Sequence, residues 1–164
     1  VSDATVKYAI LKNHVSADTL FDMKESVSLS GDSGPYLLYI VARIKSILRK
    51  SKEPRTQNLE PSQETRSYPL GTRYSIHATE RQLILSLARF PEVTAEAAAK
   101  YDPSRIAHYL FDLAQTFNAF YQSCPVLQAE DPSVRAFRLE LIATVATVMT
   151  KGLFLLGIKT VEEM

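Results

Sequence analysis

Apolar residues recur at helical spacing along most of the chain, and nowhere do they alternate one by one as in a half-buried strand. Residues 3–15 suit a short helix opened by Asp3, and residues 18–29 suit another with Leu20, Met23 and Val27 on one side. Gly31-Asp32-Ser33-Gly34-Pro35 is then a turn, and Pro35 suits the first turn of a following helix, where its missing N–H costs nothing. That helix, roughly 35–51, carries Leu37, Ile40, Val41, Ile44, Ile47 and Leu48 on one stripe at about 100° per residue. Tyr36, Tyr39, Arg43 and Lys50 share a second stripe along its flank. Residues 51–73 hold three prolines and no hydrophobic period, so the reading there is a linker or mobile loop.

Helical spacing resumes beyond it. Thr79 with Gln82 three residues on has the form of a capping box before Leu83, Ile84 and Leu87. Pro91 interrupts, and 92–100 is a short Ala-rich helix. Asp102-Pro103 reads as a cap followed by proline at the first helical position. It opens a helix whose Ile106, Leu110, Leu113, Phe117, Phe120 and Cys124 form a bundle-packing seam ended by Pro125. Asp131-Pro132 repeats that start, and Gly157-Ile158 closes the last helix as a glycine cap with an apolar residue behind it. The fold class is therefore all-α, a bundle of about four or five main helices.

Composition narrows the function. The chain has 164 residues, 46% hydrophobic and 23% charged, an ordinary globular balance that excludes a wholly disordered chain. One cysteine excludes an internal disulfide framework and a thiolate zinc site, and it fits a reducing compartment. The opening residues lack the basic start and apolar run of a secretory signal. Residues 139–158 are the most apolar stretch, but Glu140, Lys151 and interspersed threonines fit a buried helix better than a membrane span. His14, His77 and His108 are far apart and not paired at ligand spacing. The segment GDSGP superficially matches a serine-protease nucleophile turn. It lacks that family's second glycine and upstream partners, and it runs straight into a helix, so a glycine-rich helix start is the reading. No phosphate-binding glycine loop or zinc-protease motif is present, so no catalytic residue, cofactor or metal is expected in this chain.

A net charge of +1 means that any nucleic-acid binding must come from a local patch. Residues 43–55 supply one, with six basic side chains against Glu53. Tyr36, Tyr39 and Arg43 set two stacking surfaces beside a guanidinium, which suits unpaired RNA bases and their phosphates. The same pattern also fits core-edge tyrosines with their hydroxyls reaching water, and lysines that merely suit a helix C-terminus.

Three ordered blocks carry a resemblance. GDSGPYLLYIVARIKSILRK (31–50), RIAHYLFDLAQTFNAFYQSCPVL (105–127) and KGLFLLGIKTVEEM (151–164) resemble segments of arginyl-tRNA synthetases in order and spacing. The resemblance implies the C-terminal, helical, DALR-type anticodon-binding domain of such an enzyme. Residues 1–20 would join it to the catalytic domain, residues 21–164 would form it, and 51–75 would be a mobile loop within it. The parent enzyme would be a cytoplasmic ligase, an organellar form staying open. It would join arginine to its tRNA with ATP and magnesium in a catalytic domain that this chain lacks. The implied partners are the anticodon loop of an arginine tRNA and the catalytic domain of the same polypeptide, with no membrane and a monomeric state. The implied tRNA-binding residues are Tyr36, Tyr39, Arg43, Lys50, Tyr121 and Met164, with Tyr121 and Met164 at the pocket for the middle anticodon base. Pro125 falls where some eukaryotic members place a tryptophan, and Glu163 stands where Arg or Lys usually precedes the last residue. The other functional class compatible with these residues is a helical protein-interaction bundle without RNA binding.

Overall fold

In the computed structural model the described residues are 2–17, 22–52 and 75–160. They form seven helices and no strand: α1 (Ser2–Leu11), α2 (Met23–Ser26), α3 (Gly34–Lys52), α4 (Ala78–Ala88), α5 (Phe90–Lys100), α6 (Ser104–Ser123) and α7 (Pro132–Leu155). Helix α6 is the central element, touching α1, α3, α4, α5 and α7, and α3 lies against α1 and α7 as well.

The two seams read from sequence are the core. On α3, Leu37, Ile40, Val41, Ile44 and Ile47 are buried, and on α6 Ile106, Leu110, Leu113, Phe117 and Phe120 are buried with them. Cys124 is buried at the end of the second seam, a small apolar residue with its Sγ 3.5 Å from Thr79 Oγ1. Tyr8 brings α1 into the same core. Its ring is fully buried and its hydroxyl donates to Asp32 Oδ1 at 2.6 Å, with the Ala107 carbonyl 3.1 Å away. Helices α1 and α3 meet at Gly34, where a Cβ would be driven into the Ala4 carbonyl and would lie 3.1 Å from Tyr8 Cβ.

Helix ends follow local chemistry, with some shifts. Asp131 caps α7 through the Ser133 N–H at 2.8 Å, as its sequence predicts. At the other end Gly157 takes φ +69°, and Ile158 N–H and Gly157 N–H bond the Leu153 and Phe154 carbonyls. This is the reciprocal pair of a Schellman cap, with Ile158 buried behind it. Asp102 accepts the Ser104 N–H at 3.2 Å, yet α6 begins one residue later than expected, at Ser104. The capping box before α4 forms at His77 and Glu80, not at Thr79 and Gln82. His77 Nδ1 accepts the Thr79 N–H and Glu80 Oε2 accepts the His77 N–H, because a carboxylate is the stronger acceptor for the helix N-terminus. Helix α2 is only four residues, capped by Asp22, where the sequence suggests twelve; residues 18–21 lie outside the described residues, as does the linker stretch 53–74. No helix among the described residues is long and apolar enough to cross a membrane.

Candidate nucleic-acid interface

The flank of α3 meets the C-terminal half of α6, and this brings together residues far apart in sequence. The Arg43 guanidinium lies over the Tyr121 ring, 4.7 Å from its centroid. Phe117, one turn back on α6, sits 5.9 Å from the same ring. Tyr121 is half-buried and lines a cavity of about 290 Å3 with Gln122, Pro125, Val126, Leu127 and Gln128. That volume is at the small end of ligand pockets and suits a single planar ring system rather than an extended chain. The wall is the connection between α6 and α7, which leaves α6 at Cys124 because Pro125 follows. Gln122 and Gln128 are exposed carboxamides, each offering a donor and an acceptor to a planar polar edge.

The other predicted residues are placed unevenly. Tyr39 is exposed at 39%, enough for its ring to be reached from solvent. Lys50 is exposed in the last turn of α3 beside Arg49 and Lys52, so the basic run continues the Arg43 flank toward its end. Tyr36 is 8% exposed and packs edge-on against Phe111 at 6.0 Å. Its hydroxyl accepts from Asn118 Nδ2 at 2.8 Å. Burial pushes its phenol above the ordinary value, partly offset by Asn118 and by the nearby Arg43 charge. Met164 lies outside the described residues. Asn118 and the two glutamines are absent from the reading of the sequence alone. Asn118 and Gln122 stand three residues before and one after Tyr121, but only the packing of α3 on α6 shows that these positions surround a site.

The histidines do not assemble. His77 caps α4, His14 lies 3.9 Å from Asp102 just before the start of α6, and His108 is exposed. Among the described residues no group of three His, Cys, Asp or Glu side chains could hold a metal ion.

Fold and site together define an all-α bundle in which an aromatic ring carries a guanidinium and lines a small hollow open to solvent. Residues 37–164 match the family model described as the DALR anticodon binding domain. The chain belongs to that family. It is 40% identical over its whole length to an arginine–tRNA ligase of Thermobifida fusca, of which it covers 27%. It is also 40% identical to one from Streptomyces coelicolor, covering 26% of it. The solved Thermus thermophilus arginyl-tRNA synthetase superposes with a TM-score of 0.80 at 33% identity, over 98% of this chain and 26% of that one. A Plasmodium falciparum arginyl-tRNA synthetase matches with a TM-score of 0.76 at 25% identity over 98% of this chain. The chain thus spans about a quarter of the length of the relatives it matches.

Proposed function

We propose that this chain reads the anticodon loop of an arginine tRNA, as the C-terminal domain of an arginine–tRNA ligase. The observation that carries the reading is the Tyr121 ring, which both lines the cavity and meets the Arg43 guanidinium. A base that leaves the anticodon stack gains a new stacking partner there, and a cation stands beside its phosphate. Inside a cavity of this size an ill-matched base leaves polar groups unpaired, which is how a hollow discriminates between bases of similar area. Gln122 and Gln128 supply the polar contacts at the mouth, Tyr39 offers a second stacking ring, and Lys50 with its basic neighbours holds the backbone. Tyr36 supports the site from beneath, through Phe111 and Asn118.

In this arrangement residues 1–20 lead from a catalytic domain and dock, through Ala4 and Tyr8 of α1, into the core of the anticodon-binding unit that residues 21–164 form. ATP and magnesium belong to the catalytic domain, which arginylates the tRNA. The ligase works as a cytoplasmic monomer, and this chain contributes recognition without chemistry.

The test is a titration of the chain with an arginine tRNA anticodon stem–loop carrying cytosine at the middle position, against the same stem–loop with uracil there. Tighter binding of the first at every salt concentration is the expected result. Equal binding of both refutes base reading by the cavity.

A further inference from the structure

The connection that walls the cavity is gripped from behind by a buried ion pair. Arg138, in the second turn of α7, donates from Nε to Glu80 Oε1 at 2.7 Å and from Nη1 to the Pro125 carbonyl at 2.7 Å. The Glu80 side chain is wholly buried and that of Arg138 is 12% exposed. The second Glu80 oxygen receives the His77 N–H at 2.8 Å, so one carboxylate closes the α4 cap and clamps the guanidinium. The same turn of α4 brings Thr79 against Cys124, the residue just before Pro125.

Stability alone is a poor reason for this pair. Removing two charges from water costs several kcal/mol, and apolar side chains of similar size hold helices together at least as well. What a guanidinium adds is direction. Its fork sends one donor to Glu80 and another to Pro125 in a fixed relation, whereas a lysine ammonium on the same carboxylate is a point charge without that geometry. The recipient is informative too. Pro125 is the first wall residue after α6, and the wall runs from it through Gln128. Fixing its carbonyl fixes where that wall stands relative to the Tyr121 ring.

We propose that Arg138 is a positioning residue for the cavity: held by Glu80, it sets the Pro125 wall and thereby controls which base the cavity accepts, while leaving attraction for the RNA backbone unchanged. The inference rests on the reading of the cavity as a base site. It assigns discrimination to a side chain that lies behind the wall and is absent from the cavity's lining.

The experiment compares the chain, its R138K variant and an I142V variant, each titrated with the middle-cytosine and middle-uracil stem–loops at several salt concentrations. Thermal unfolding is followed in parallel. Ile142 is fully buried one turn along α7 and does not line the cavity, so I142V lowers stability without touching the wall. R138K is expected to lower the cytosine-to-uracil affinity ratio about tenfold, less than the ~100-fold that a 1 Å misplacement can cost in a preorganised site. Its salt slope stays that of the wild type, and I142V keeps the wild-type ratio. An unchanged ratio in R138K overturns the proposal, as does a ratio that falls in both variants in step with unfolding temperature. If R138K does not fold, the wild-type chain decides through the Arg138 Nε–H resonance. It is expected to shift with the cytosine stem–loop and less with the uracil one, and equal shifts overturn the proposal. A wild-type chain that binds both stem–loops equally sinks the base-site reading and this inference with it; a wild type that discriminates, together with an R138K variant that discriminates equally well, sinks this inference alone.

Discussion

Replacing Tyr121 with alanine removes the ring that lines the cavity and the surface on which Arg43 rests. Stacking of one base on a tyrosine is worth about 1–3 kcal/mol. In the free domain the same ring holds the Arg43 guanidinium at 4.7 Å, an attraction worth about 0.5–1 kcal/mol at a solvent-reachable site. Two cases are distinguishable. If the guanidinium stays on one face while a base takes the other, Tyr121→Ala loses the full stacking energy, roughly five- to 150-fold in Kd. If the base must displace Arg43, the wild type already gives up the cation–π attraction on binding, and the variant's loss is smaller than the stacking energy by that same amount, about 0.5–1 kcal/mol. Tyr121→Phe keeps the ring and separates stacking from the hydroxyl; its affinity is expected within about twofold of wild type. The assay is fluorescence anisotropy with a labelled middle-cytosine stem–loop, with circular dichroism to confirm that each variant keeps its helices. An alanine variant that stays folded and binds as tightly as wild type would remove Tyr121 from the site and refute the argument built on its position.

The same geometry sets other outcomes. Arg43→Ala, or Lys50→Ala, should reduce the slope of log Kd against log salt by about 0.7 for each single-strand phosphate left without its cation, and an unchanged slope assigns that residue to structure instead. Gly34→Ala should cost about 1–3 kcal/mol by overpacking, since the new methyl meets the Ala4 carbonyl and Tyr8 where α1 crosses α3; a urea unfolding midpoint equal to wild type would contradict that close approach. The Asp102 carboxyl is held below its ordinary value of 3.8 by the Ser104 hydroxyl, with His14, Arg105 and the Ser104 N–H adding to the effect. The unfolded chain therefore takes up this proton at higher pH than the folded one. The stability it contributes is present above the carboxylate range and is lost as pH falls through the lowered folded value. Asp102→Asn should accordingly flatten the acid side of a plot of urea midpoint against pH, and an equally steep limb would assign the acid sensitivity to other groups.

What the sequence makes legible here is governed by range. The buried stripes of α3 and α6 are periodic signals carried within one helix, so the positions that turn inward can be named without knowing any neighbour. Asp131 and Gly157 act within three or four residues, and both do what their types predict. The shifted capping box marks the limit of such local reading. Thr79–Gln82 has the residue types of a capping box and His77 does not, yet the box forms at His77 and Glu80, whose side chain also serves a guanidinium 58 residues away. Tyr101 makes the same point: it closes α5 at φ +50°, a position that glycine usually fills, and nothing in its neighbourhood of the sequence announces it.

The site is less legible than the fold because its parts belong to different helices. The α3 flank does carry Tyr36, Tyr39 and Arg43 together, but a helical wheel has no depth. It gives the same standing to Tyr36, which α6 covers with Phe111 and Asn118, and to Tyr39, which nothing covers to the same degree. Tyr121 enters through resemblance to a family motif and not through spacing, and its contact with Arg43 spans 78 positions. The cavity itself is formed by a connection between helices, where no hydrophobic period exists to be read. Its wall hangs on a guanidinium from the next helix and a carboxylate from two helices earlier, a three-body arrangement with no linear signature. Recognition surfaces of this kind are thus visible in sequence only as far as one helix face carries them. The stacking ring and cation on a face can be inferred, whereas the hollow beside them comes into being only when the helices pack.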